Sequence, residues 1–399
     1  MNNPTRLQIV IAVLTSLIFF AQGVLAVPPG KENIFPLQPQ HCHSSSLVEL
    51  PNGDLLVCWF QGSGERTADD VQILGARKKT GASEWSEVFP MADTPGFPDC
   101  NPILFLDGNQ RLHLVWITVL ANSWEHSLLK TRMCDSTGYQ GDGPPHWQWQ
   151  DVILLNPGEN FPAKVEQGFG LLPNTDEAWA EYAPKYSDMI IEAARDPIKY
   201  QTGWMPRIHP AILPSGRILI PLYSDGFNLC LMAISDDQGE TWKPSDPLVG
   251  VGPIQPTVVR RSDGSLVAFM RDSGDPPNRV LSGVSRDDGI SWSPILDTDI
   301  PNPGSSLEAV VLSSGDWILV LNDTEQGRHR LSMMLSRDEG KTWSVKKVLE
   351  ESTEGGDSFA YPSVIQARDG MIHLTYSFSG STGKSIRHMT LSPDWIQAP

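Results

Sequence analysis

The sequence predicts an all-β chain: a six-bladed β-propeller with a short helical insertion between blades two and three. Two observations carry this. A Gly-containing hairpin turn recurs six times, and a Ser-x-Asp-x-Gly-x-(Thr/Ser)-Trp motif recurs three times, about fifty residues apart. Composition agrees, since 34 Gly and 33 Pro among 399 residues suit short strands joined by turns.

The hairpin turns are Pro51-Asn52-Gly53, Leu106-Asp107-Gly108, Pro214-Ser215-Gly216, Ser262-Asp263-Gly264, Ser313-Ser314-Gly315 and Arg368-Asp369-Gly370. Each separates two β-rich runs, as Thr257-Val258-Val259 and Leu266-Val267-Ala268-Phe269 flank the fourth. Gly accepts a positive φ at no steric cost and Asn or Asp tolerates one, so these triplets suit tight hairpins. Six turns imply six blades of four strands. The spacing breaks only between Gly108 and Gly216, where an insertion from about Asn160 to Tyr200 is expected. Within it, Glu177 to Arg195 is rich in Ala, Glu, Tyr and Ile and reads as one or two helices, ended by Asp196-Pro197. A divergent seventh blade is the alternative. Ile34 to Leu37 is expected to close the ring as an outer strand of the last blade.

The longer motif reads Ser235-Asp236-Asp237-Gln238-Gly239-Glu240-Thr241-Trp242, then Ser285 to Trp292, then Ser336 to Trp343. The Asp carboxylate can bond turn N–H groups, Gly can take the left-handed position, and Trp can cover the hairpin. Degenerate versions end at Trp85, near Trp147 and at Trp395. These are read as structural staples with no catalytic role.

The net charge of −17 gives no basic stripe for phosphates, which argues against a nucleic-acid partner. At the amino terminus, Arg6, the apolar run Leu7 to Phe20 and Val24-Leu25-Ala26 read as a secretory signal cleaved after Ala26, with an uncleaved anchor as the alternative. Residues 27–399 are then one secreted or periplasmic domain, with no other segment able to span a bilayer, and a monomer is expected. Cys42, Cys58, Cys100, Cys134 and Cys230 are odd in number and lack CxxC spacing, so a zinc site is not expected. Buried free thiols are the simplest reading. No motif requires a cofactor or a metal, and P-loop, dinucleotide, HExxH and GxSxG patterns are absent.

The repeated motif is the Asp box, or bacterial neuraminidase repeat, and over nearly all its mature length the chain resembles the sialidase superfamily. Within it, the chain looks most like secreted bacterial sialidase-like proteins. That resemblance implies three arginines on a substrate carboxylate, an Asp acid/base, and a Tyr nucleophile activated by a Glu. Arg271 in Phe269-Met270-Arg271-Asp272 matches the second arginine. Arg330, preferred over Arg328, matches the third. Tyr361 in Ala360-Tyr361-Pro362 matches the nucleophile. Asp70 is chosen as the acid/base, with Glu65 as a second carboxylate in the same loop. The first arginine is replaced by His41-Cys42-His43, where His41 and His43 share one face of a strand. Gln255 stands where the activating Glu belongs, and Glu308 in the next blade could compensate. Trp124, Glu125, Trp204, Arg207 and His209 are weaker candidates.

Two departures therefore bear on chemistry, and the fold carries over more securely than a sialic acid substrate. The leading expectation is an extracytoplasmic exo-glycosidase acting on a glycan with a terminal, acidic sugar. Its rivals are a uronic-acid lyase using His43 and Tyr361, and a carbohydrate-binding propeller without activity.

Overall fold

A computed structural model of the chain describes residues 29–173 and 185–397. Its strands form six sheets in sequence order, each running outward from an inner strand. The inner strands are His41–Glu49, Asp99–Leu106, the pair Met205–Pro206 and Ala211–Ile212, Pro253–Arg260, Glu308–Val311 and Ser358–Gln366. A propeller of six blades is thus the fold, and no seventh sheet occurs among the described residues. Strands buried on both faces explain the near-continuous apolar runs, such as Leu112–Thr118 and Leu229–Ser235.

Closure is made by Gly30–Asn33, which pairs antiparallel with Gly383–Leu391 as the outer strand of blade six. The closing strand therefore lies four residues upstream of the expected Ile34 to Leu37. Ile34 and Phe35 leave it to bury, and Phe35 stacks on Trp59 at 4.9 Å. Burial of those apolar groups wins over continuing the ladder.

Five of the six hairpin glycines have φ between 87° and 90°. Blade two differs: in a turn of the same length, Gln110 takes the left-handed position at φ 60° that glycine holds elsewhere, and the Asp107 carboxylate steadies it by accepting from the Asn109 and Arg111 N–H groups. The Asp boxes close as expected. Asp237 accepts from Thr241 N (2.9 Å) and Ser235 Oγ (2.8 Å), and Ser235 Oγ accepts from Gly239 N (2.7 Å). The other two copies repeat these bonds. Trp395 is an exception, lying in the short helix Pro393–Gln397 instead of a hairpin.

The insertion holds helices Phe161–Gly170, Tyr186–Ala193 and Pro197–Gln201. Asp196-Pro197 ends one helix and starts the next, with the Asp196 side chain accepting from Ile198 N. Part of the expected helical stretch, and the whole amino-terminal signal, fall outside the described residues. No described helix is long and apolar enough to cross a membrane. All five cysteines are free and buried. No described cluster of three or more His, Cys, Asp or Glu residues could hold a metal ion.

Candidate active site

The inner strands place the site by a shared irregularity. Those of blades one, two, four and six each break register near their start. Each break contains one non-glycine residue at positive φ: Ser44 (59°), Asn101 (50°), Gln255 (56°) and Tyr361 (58°). A bulge re-aims side chains that an even ladder would direct into the sheets. Here it helps bring His43, Asn101, Gln255 and Tyr361 to one cavity of about 490 Å³. Ends of second strands and loops add Glu65, Tyr223, Asp225, Arg271 and Arg328 to the same cavity.

Tyr361 is its hub. The phenol oxygen accepts from Arg271 Nη1 at 3.1 Å and from Gln255 Nε2 at 3.2 Å. Arg207 and Arg328 lie over its ring, 4.8 and 5.2 Å from the centroid. Burial pushes the phenol up, but Arg271 and Arg328, with the Gln255 hydrogen bond and Arg207, outweigh it and hold the group below the ordinary tyrosine range. Neighbouring Tyr223 accepts from Asn101 Nδ2 (3.0 Å) and Gln255 Nε2 (3.3 Å), and burial followed by Asp225 pushes it well up.

The ring of His43 sits 4.0 Å from that of Tyr361. Burial, then Arg328, His41, Arg207 and Arg271, hold it well below its usual range, so it is neutral near pH 7. His41 does not line the cavity. Its Nε2 lies 3.0 Å from Glu65 Oε1, and this contact, against the opposing effect of burial, lowers Glu65. Asp225 reaches solvent through the cavity but is walled by protein. That enclosure raises its carboxyl and Glu125 adds to the rise, against the pull of Arg271 and Arg66.

Besides His41, four expected site residues lie outside the cavity wall. Asp70 is exposed, bonded to Ser63 N and Oγ, and absent from the cavity wall; Glu65 is the blade-one carboxylate there. Sealing a polar loop accounts for Asp70 more simply than proton transfer does. Arg330 opens the strand Arg330–Ser336 and is bound to Asp323 at 3.0 Å, whereas Arg328, in the loop before it, reaches the cavity. Glu308 accepts from His209 Nδ1 (2.6 Å) and Val364 N (2.8 Å) and does not line the cavity, so it cannot replace a carboxylate at Gln255. Arg207 is buried beneath Tyr361, donating to the carbonyls of Pro362 (2.9 Å) and Ser45 (3.4 Å). Among the weaker candidates, Trp124 lines the cavity, while Trp204 packs on Phe227 in the core.

Sequence reasoning missed Asn101, Tyr223 and Asp225. The last two had a usable signal: like Arg271, they end an apolar second strand, Ile218–Ser224, where a polar group needs a partner. Asn101 had none, because its exposure to the cavity depends on a bulge.

Comparison with known proteins bears on the repeat and the fold. Residues 203–374 match the BNR repeat-like domain family. The chain is 29% identical over 172 residues to a sialidase from Micromonospora viridifaciens, covering 41% of this chain and 25% of that protein. It spans only about a quarter of that relative's length. Among solved structures, a leech intramolecular trans-sialidase superposes with a TM-score of 0.67 at 14% identity, over 92% of this chain and 71% of that one. A protein of unknown function from Dyadobacter fermentans gives 0.65 at 15% identity, over 91% and 97%. At such identities the superpositions speak for fold alone. Repeat, fold and sequence likeness agree on a propeller of sialidase-like fold whose residues 203–374 resemble the BNR repeat-like domain.

Proposed function

We propose that the protein is an exo-acting glycoside hydrolase that removes a terminal, carboxylate-bearing sugar outside the cytoplasm. One observation carries the reading: a phenol hydrogen-bonded to Arg271 shares a cavity with Arg328, whose guanidinium has no ion pair or hydrogen bond among the described residues. Guanidinium forks suit a carboxylate. Because Arg271 touches Tyr361 directly, a carboxylate held there lies beside the reacting carbon. The positive charge of Arg271 and Arg328 offsets the repulsion between the attacking tyrosine oxygen and that carboxylate. The sialidase relatives support the same class, and the apolar amino-terminal run ending in Val24-Leu25-Ala26 supports export.

In the first step the Tyr361 oxygen bonds to the anomeric carbon as the glycosidic C–O bond breaks. Asp225, whose carboxyl desolvation and Glu125 raise above its ordinary value, gives its proton to the departing oxygen. In the second, Asp225 takes a proton from water, the water oxygen bonds to the anomeric carbon, and the tyrosine oxygen leaves. The test is release of aglycone from a panel of sialyl and uronic-acid aryl glycosides. Turnover that falls at least about 10³-fold in Tyr361→Phe is expected for loss of a nucleophile. Undiminished turnover in that variant, or none on any acidic glycoside, defeats the proposal.

A second reading has a specific motive. A neutral His43 beside Tyr361 supplies two groups able to move a proton, as a uronic-acid lyase would need. An unsaturated, ultraviolet-absorbing product separates it from hydrolysis.

A further inference from the structure

The residue that replaces the activating carboxylate poses a question within the proposed function. Gln255 presents an N–H to Tyr361, so the phenol oxygen accepts two hydrogen bonds, and no described residue accepts its own proton. Guanidiniums also outnumber carboxylates close to the phenol, with Glu308, Glu65 and Asp225 each acting on one arginine there from beyond salt-bridge distance. Arg207 is 1% exposed and has no salt bridge among the described residues; neither have Arg271 and Arg328. Buried cations are costly unless paired. The carboxylates nearby are committed or enclosed: Glu308 to His209 and Val364, Glu65 to His41, and Asp225 disfavoured as an anion. His43 and Tyr223 offer no negative charge near neutrality.

We infer that Tyr361 rests as a phenolate, the shared counter-ion of Arg207, Arg271 and Arg328. This deepens the proposed function. The nucleophile needs no base, and an amide at Gln255 serves better than a carboxylate would. The proton leaves to solvent before substrate binds, so the bond-making step begins from the anion and its proton balance is unchanged. The low-lying phenol described above is in keeping with this.

Ultraviolet difference titration of the folded protein reads phenolate directly and needs no substrate. Among the seven tyrosines, one should already be ionised at pH 7, so that it titrates at least about three units below the ordinary value near 10, and Tyr361→Phe should remove that step. Arg328→Gln should move the step upward while leaving the circular dichroism spectrum intact. Gln255→Glu should lower kcat/KM at pH 7 about tenfold or more, because a carboxylate takes up the guanidinium charge and lets the phenol keep its proton. The inference is overturned if no early-titrating tyrosine disappears in Tyr361→Phe, or if Gln255→Glu raises activity. An early tyrosine in a protein that cleaves no glycoside leaves this inference standing while the proposed hydrolase falls; the reverse outcome does the opposite.

Discussion

The rim and the mouth of this propeller are built on opposite plans. On the rim, an Asp-box carboxylate is satisfied within four residues of itself, as Asp237 is by Ser235 and Thr241. At the mouth, partners stand far apart in the chain: Gln255 and Tyr361 are separated by 106 residues, Asn101 and Tyr223 by 122. Positive φ falls on Gly239, Gly289 and Gly340 and the residue before each at the rim, but on Ser44, Asn101, Gln255 and Tyr361 at the mouth. The rim is therefore locally determined and repeats. The mouth is strained, differs in every blade, and stands only because the closed ring over-determines it. Local satisfaction gives stability, and non-local convergence gives chemistry.

The sharpest way to break that contrast sets a mouth carboxylate against a loop one. Asp225→Asn should lower hydrolysis of a substrate with a poor leaving group by about 10²- to 10³-fold, the usual worth of a positioned general acid. The loss should shrink for an activated aryl leaving group. Asp70→Asn should change turnover less than about twofold, since its bonds only close a loop on Ser63. Equal losses in both variants would show that the acid has been misassigned.

A smaller effect separates Arg328 from Arg330. Arg328→Ala should cost about 10- to 100-fold in kcat/KM for an acidic glycoside, matching the roughly 1.5–3 kcal/mol of a hydrogen bond to a charged group. Arg330→Ala leaves Asp323 with Lys346 and Ser332 as partners and should leave kcat/KM nearly unchanged. A neutral analogue of the substrate should be indifferent to Arg328→Ala. If it suffers equally, the arginine is not reading a carboxylate.

These pairs also mark what was legible beforehand. The six turns and three boxes could be read because each is closed by its own neighbours. Arg271, Gln255, His43 and Tyr361 could be placed through family resemblance, each lying at or beside the start of an inner strand or at the end of a second strand. The sequence ranks Arg330 above Arg328 and the structure reverses them, because side-chain alternation holds within a strand and Arg328 sits in the loop before one. Asp70 was preferred over Glu65 because nothing in a loop sequence reveals that Ser63 will seal one carboxylate while the other faces the cavity. Asn101 was invisible for a stricter reason: a bulge is a property of two paired strands, and one strand's sequence does not specify it.

On the rim, Ser235→Ala should cost about 1–2 kcal/mol by denaturant unfolding, because it leaves the buried Gly239 N–H without its acceptor. Activity per folded molecule should not change. A loss of turnover larger than the loss of folded protein would tie the staples to the site and erase the contrast.

The smallest expected effect is one of sign in the response to pH. Hydrogen bonds from Thr241, Ser235 and the Thr241 N–H, against slight desolvation, hold Asp237 at about 2; Asp338 is held there by its own box. A carboxylate depressed by folding stabilises above its unfolded value of about 3.9 and loses that contribution as pH falls towards its folded value. His209 behaves oppositely. Burial lowers it, but Glu308 and the Leu47 carbonyl raise it more, and both ring nitrogens lie within 2.7 Å of these acceptors. Its contribution is complete below about 6.5 and fades as pH rises through the raised value. Thermal unfolding followed from pH 3 to pH 9 should therefore weaken at both ends for unrelated reasons. Asp338→Asn should flatten the acid limb alone and His209→Gln the alkaline limb alone. Were His209→Gln to leave the alkaline limb intact, Glu308 and the Leu47 carbonyl could not be stabilising a protonated His209.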